Sequence, residues 1–158
     1  MKVCHFNRNE AGVVVGDRVH PIGEALVKAG HVRSGYTMRE VVDALANQPA
    51  ATACAREAVG ASASLPLGSV TLLAPILDPP SLWAAASNYR AHQAEMQVMS
   101  GGPDRSDLSF LSSIVTLRPG ELITTGTPAG VQKLADGDTL RGRIDGVGTM
   151  ELQVGAER

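Results

Sequence analysis

The polar and apolar positions of this chain change period several times, and each change marks an element. Residues 2–6 and 12–15 alternate and are rich in β-branched side chains, the pattern of half-buried strands. Asn7-Arg8-Asn9 and Gly16-Asp17 are turn candidates beside them, so a small antiparallel meander is expected at the N-terminus. The period then lengthens to that of a helix. Residues 22–29 repeat apolar side chains at helical spacing and stop at Gly30. Thr37-Met38-Arg39-Glu40 reads as a capping box, in which Thr37 and Glu40 satisfy each other's exposed N–H groups. Met38, Val41, Val42 and Leu45 follow at i, i+3, i+4 and i+7, the buried stripe of an amphipathic helix that Asn47-Gln48-Pro49 ends. An Ala-rich run over 50–59 predicts a third helix, and 60–64 a loose connection.

The pattern then shortens again. Residues 70–73 read as an apolar strand, and Asp78-Pro79-Pro80 as an extended turn, because a residue before proline is pushed out of the helical region. A buried strand is expected over 82–86. At Ser87-Asn88 the polarity changes and a helix begins, either residue serving as its N-cap. Residues 99–107 are a loop. Arg118-Pro119-Gly120-Glu121 has Pro and Gly where a type II turn requires them. A strand over 122–125 runs into the Gly126-Thr127-Pro128 loop. Strands over 139–144 and 149–154 flank Asp145-Gly146, the strongest hairpin signal in the chain.

Composition narrows the class. At 158 residues and 44% hydrophobic, the chain fits one ordinary domain, or a small domain plus part of another. Phe6, Tyr36, Trp83, Tyr89 and Phe110 are all its aromatics, so any core is built from Ala, Val, Leu and Ile. The net charge is −2, with no basic run or aromatic ladder, which argues against nucleic acid as a partner. No apolar stretch approaches the length of a bilayer span, so no membrane partner is expected. The N-terminus alternates like a strand and lacks the apolar run of a signal peptide. Cys4 and Cys54 have no metal-ligand spacing and read as two reduced thiols of a cytoplasmic protein.

Two short blocks carry the candidate chemistry. In Asn88-Tyr89-Arg90-Ala91-His92-Gln93-Ala94-Glu95 an imidazole and a carboxylate lie three positions apart, neighbours on one helical face. A neutral histidine is a serviceable base near neutral pH, and a carboxylate one turn away can orient it and stabilise its cation. By spacing alone, such a pair is more often a solvated face. Thr125-Gly126-Thr127-Pro128-Ala129-Gly130-Val131 is a Gly/Pro loop able to lend backbone N–H groups to an anion, or simply to turn the chain. Arg90 either faces a pocket or pairs with a surface carboxylate. Asp136 and Asp138 belong to a turn, Asp104 and Asp107 to a solvated loop with substitute metal ligation as the other reading. His5, His20 and His31 lack partners at useful spacing and read as surface or strand residues.

These blocks resemble the fumarylacetoacetate hydrolase family. Its members carry a strand leading into Asn-Tyr-x-x-His-x-x-Glu, and later Leu-x-Pro-Gly-[Asp/Glu]-x-Ile-x-Thr-Gly-Thr-Pro-x-Gly-Val, a Gly-Asp turn and two strands around Gly-x-Gly. Here those features are residues 88–95, Leu117 to Val131, Asp136-Gly137-Asp138 and Gly146-Val147-Gly148. The resemblance implies C–C bond hydrolysis, decarboxylation or keto-enol isomerisation of a β-keto or 2-oxo acid through an enolate. It implies a Mg²⁺ or Mn²⁺ cofactor acting as a Lewis acid. His92 and Glu95 take the catalytic role, and Tyr89, Arg90 and Thr127 the contacts to substrate, Thr127 to its carboxylate.

One stretch departs from the pattern. Family members carry Glu-x-Glu, a later Asp and a catalytic Lys between the two blocks. This chain has no Glu-x-Glu, and between Glu95 and Glu121 its only acids are Asp104 and Asp107, with no Lys. No metal ligand is therefore assigned. The expectation is an α+β protein, with a small N-terminal α/β domain over 1–76 and an abbreviated, β-rich fumarylacetoacetate-hydrolase-like domain over 77–158. An internal deletion is expected near 104–112. The rival function class is a truncated, non-catalytic relative that keeps an anion pocket or acts as an interaction protein. A deleted sheet leaves open edges, so a homodimer or other oligomer, or poor solubility, is expected.

Overall fold

A computed structural model describes residues 1–84, 108–126 and 130–155. The N-terminal strands form as the alternation predicts: β1 (Lys2–Phe6), β2 (Glu10–Val15) and β3 (Arg18–Pro21). A two-residue strand, β4 (Leu65–Pro66), completes an antiparallel sheet of order β1-β2-β3-β4. The β1–β2 turn places Asn7 at φ +51° and Asn9 at φ +91°. Asparagine tolerates this left-handed region better than other side chains that carry a Cβ. Between Val15 and its register partner Arg18 only Gly16 and Asp17 remain, with φ +59° at Gly16. This is the geometry of a type II′ hairpin, which requires glycine first.

The register sends Ala11 and Val13 to one face of the sheet and Gly12 and Val19 to the other. On the first face pack α1 (Gly23–Lys28), α2 (Met38–Asn47) and α3 (Pro49–Ala61). Their buried cluster joins Ala11, Val13, Ile22, Leu26, Met38 and Val41 to Ala44, Ala51, Ala55 and Ala58. The capping box is formed: the Glu40 amide donates to Thr37 Oγ1 at 3.3 Å, and the Thr37 amide donates to Glu40 Oε2 at 2.8 Å. The buried stripe of α2 is rotated from the expected one. Ala44 is buried, whereas Val42 and Leu45 are only half-buried. The buried alanines of α3, Ala51, Ala55 and Ala58, belong to the same cluster. On the opposite face, Phe6 and Val19 are fully buried about Gly12.

Residues 70–73 are not the expected strand. Only Leu72 forms a bridge, to Phe6. β1 ends at Phe6 and Asn7 turns the chain away, so no longer ladder is available. The segment is held instead by the Asn7 amide to the Thr71 carbonyl, the Thr71 amide to Asn7 Oδ1 and the Leu73 amide to the His5 carbonyl. A short helix, α4 (Leu108–Ile114), precedes the last strands.

β5 (Leu82–Ala84) and β6 (Leu122–Thr124) pair in parallel. The expected burial of this first strand does not hold over its described residues: Leu82 is 62% exposed, because a two-stranded pair covers few of its own side chains. A second compact unit contains a hairpin of β7 (Thr139–Ile144) and β8 (Gly148–Gln153). Its register puts Leu140, Ile144, Met150 and Leu152 on one face and Arg141, Arg143, Thr149 and Glu151 on the other. Both faces are exposed. Among the described residues no helix is long and apolar enough to cross a membrane.

Two substitutions test this account. Thr37→Ala removes one half of the capping box and is expected to cost about 1 kcal/mol of stability by urea denaturation. Gly12→Ala places a methyl 2.7 Å from Val19 Cγ1 and 2.9 Å from Phe6 Cε1. Overpacking of this kind costs ~1–3 kcal/mol, and an unchanged urea midpoint would contradict the close packing.

Candidate functional site

The parallel pair is the part of the fold that leads in sequence to both blocks of candidate chemistry. Leu82, Trp83 and Ala84 face Leu122, Ile123 and Thr124 in register, so the chain leaves both strands at the same end. Beyond Ala84 the sequence runs into the Asn88–Glu95 block, and beyond Thr124 into the Thr125–Val131 block. The strands are locked by the Leu122 amide, which donates to the Ser81 carbonyl at 3.1 Å, and by Thr124 Oγ1, which donates to the Trp83 carbonyl at 3.3 Å. The indole N–H of Trp83 is enclosed without a hydrogen-bond partner among the described residues.

The turn that launches β6 is built as its sequence demands. The Glu121 amide donates to the Arg118 carbonyl at 3.2 Å, and Gly120 has φ +87°, as the third residue of a type II turn must. The Glu121 carboxylate folds back to accept from the Arg118 amide at 3.0 Å. Past β6, Gly126 and Gly130 also have positive φ, +87° and +91°. His92, Glu95, Tyr89, Arg90 and Thr127, the residues expected to carry catalysis and substrate contact, lie outside the described residues, as do Asp104 and Asp107.

The described carboxylates of the C-terminal half are largely engaged. Asp78 pairs with Arg39, Glu121 caps its own turn, and Asp145 and Glu151 pair with Arg143 and Arg141. Asp138 accepts from the Ala135 amide at 2.7 Å, which makes the Asp136-Gly137-Asp138 segment a turn, as its sequence predicts. Among the described residues no three His, Cys, Asp or Glu side chains gather to hold an ion. The described residues therefore do not fit a divalent cation.

Cys4 and Cys54 are free and half-buried. Burial pushes the Cys4 thiol up, against a smaller opposing effect of its hydrogen bond with the Gly12 backbone, so it is a poor nucleophile. His5, expected to lack partners, is a strand residue only 2% exposed. Its Nδ1 lies 3.0 Å from the Ala74 carbonyl oxygen and its Nε2 3.0 Å from Asn9 Oδ1, while Asn9 Nδ2 donates to the Tyr36 carbonyl at 2.8 Å. Spacing could not reveal a partner 69 positions away. The one available signal was its place on the same face of β1 as Val3. This histidine ties β1 to the chain that leads toward β5.

Comparison with known proteins agrees with this framework. Over 50 residues, 32% of this chain, the sequence is 46% identical to an uncharacterized protein of Pyrococcus abyssi. Over 47 residues it is 45% identical to the mitochondrial oxaloacetate tautomerase FAHD1 of Mus musculus, and over 51 residues 43% identical to a fumarylpyruvate hydrolase of Ralstonia sp. These matches span 22%, 21% and 27% of the relatives' own lengths, well short of two thirds. In three dimensions the chain is similar to maleylpyruvate hydrolase from Sphingobium sp. SYK-6, crystallised with manganese(II) and pyruvate. The TM-score is 0.74 at 17% identity, covering 98% of this chain and 99% of that one. This likeness shows the fold. A model of the fumarylacetoacetate (FAA) hydrolase C-terminal region matches residues 9–155, and the chain thus belongs to the fumarylacetoacetate hydrolase family.

Proposed function

We propose that this chain binds a small β-keto or 2-oxo acid and acts on it through an enolate, as a hydrolase, decarboxylase or isomerase. The observation that carries the reading is the parallel register of β5 and β6, whose carboxyl ends lead in sequence to the two family blocks. Open-sheet enzymes bind ligands beyond the carboxyl ends of parallel strands, where loops can converge. In this reading His92 takes or returns the proton at the carbon next to the oxo group, and Glu95 orients its ring and stabilises its cation. Thr127 meets the substrate carboxylate, with Tyr89 and Arg90 as further contacts. Mg²⁺ or Mn²⁺, when bound, supplies Lewis-acid stabilisation of the enolate. Between Glu95 and Glu121 the sequence offers only Asp104 and Asp107 as substitute ligands.

A second reading is favoured by the sequence, which has no Glu-x-Glu and no Lys between Glu95 and Glu121. It makes the chain a non-catalytic relative that keeps an anion pocket or serves as an interaction protein. In either reading the chain divides into a small domain over 1–76 and an abbreviated domain over 77–158, shortened near 104–112, and it works in the cytoplasm. The exposed apolar face of the β7–β8 hairpin supports assembly as a homodimer.

A thermal melt with and without Mg²⁺ plus oxalate, an enolate-like dianion, separates the two readings. Binding at a hundred times Kd is expected to stabilise the fold by about 2.7 kcal/mol and raise the melting temperature visibly. His92→Ala and Glu95→Gln should then lower turnover of oxo acids by about 10²–10⁴-fold with little effect on the melt. A melt indifferent to both additions, with no oxo acid consumed, selects the non-catalytic relative. Light scattering after size exclusion should give about twice the 16.4 kDa of the chain, and a well-behaved monomer would refute the dimer.

A further inference from the structure

Arg39 sits where a helix does not favour a cation. It is the second residue of α2, inside the capping box, and a positive charge in the first turn opposes the helix dipole. Its stem and its head are both used elsewhere. The aliphatic stem lies on Gly120, where a Cβ would come within 2.7 Å of Arg39 Cγ and 3.3 Å of Cδ. Gly120 is therefore required twice, by its φ of +87° and by the side chain above it. The guanidinium Nη2 lies 3.5 Å from Asp78 Oδ2. Asp78 opens the Pro79-Pro80 turn that precedes β5, and Gly120 belongs to the turn that precedes β6. One side chain on α2 thus touches both turns, and the Ser81–Leu122 hydrogen bond joins them directly.

We infer that Arg39 is a positioning residue, which straps both turns to α2 and so sets where β5 and β6 begin. The ion pair is 41% and 47% exposed, too open to contribute much by charge alone. The shape of the strap comes from the stem on Gly120, and its direction from Asp78. Its bearing on catalysis rests on the proposed reading that the β5 and β6 exits lead to the site. A displacement of about 1 Å in such a framework is enough to cost a large factor in rate or binding.

The test uses the full chain with Arg39→Ala, Asp78→Asn and Arg39→Lys, which keeps both stem and charge. Amide hydrogen exchange over residues 118–124 is read by mass spectrometry, together with the emission of Trp83, the only tryptophan. Arg39→Ala is expected to speed exchange of the Leu122 amide about tenfold and to shift the Trp83 emission, while exchange in α2 and the β1–β3 sheet stays as in the parent. Asp78→Asn should do the same to a smaller extent, and Arg39→Lys should restore the parent pattern. If Arg39→Ala does not fold, Arg39→Met, which keeps the stem, takes its place against Asp78→Asn. Exchange over 118–124 that does not change, or that rises equally in α2, overturns the strap. Titration with Mn²⁺ and oxalate then reads the consequence. If the parent binds, Arg39→Ala should bind about tenfold more weakly. Equal binding overturns the positioning role. A parent chain that binds nothing refutes the oxo-acid reading instead, and the exchange result still decides whether the strap exists.

Discussion

The parallel pairing of β5 with β6 is the constraint on which the proposed site depends. Three residue pairs bring together stretches of chain that are 40 positions apart, Leu82 with Leu122 being the first. Parallel strands need a crossover and gain slightly less per residue than antiparallel ones. A pair this short is not stable in isolation. Two consecutive prolines precede one of its strands and a type II turn precedes the other. Those turns in turn rest on the N-terminal unit, through Arg39 at one point and through the chain beside His5 at another. The N-terminal unit thus serves as a foundation for the strands that run toward the two family blocks.

What was legible in the sequence follows from the range of each interaction. The meander, the capping box and the turn at Arg118-Pro119-Gly120-Glu121 depend on neighbours within a few positions, and their residue types announce them. The rotated stripe of α2 did not show, because the choice between Ala44 and Val42 depends on the alanine face of α3. Residues 70–73 have the composition of a strand but lack a partner edge, which only the turn at Asn7 determines. The burial of His5 and the double use of Arg39 depend on contacts with residues dozens of positions away. The blocks at 88–95 and 125–131 were legible as a family signature, since several residues match at fixed spacing. Their side-chain geometry belongs to residues 85–107 and 127–129.

The β7–β8 hairpin makes a separate point about surfaces. Its register sorts the side chains cleanly, with arginines and glutamate on one face and leucine, isoleucine and methionine on the other. The polar face is internally balanced, since Arg141 meets Glu151 and Arg143 meets Asp145. An alternating ribbon of this kind carries the information for a covered face.

The separation of the paired strands has a further consequence, in polymer terms. Bringing the ends of a flexible chain together costs an entropy that grows only with the logarithm of its length, so doubling the span adds about 0.6 kcal/mol. The stretch between Ala84 and Arg118 is closed by a strand pair whose hydrogen bonds and launching turns lie outside it. A change in the length of this stretch would therefore cost the β5–β6 pairing little.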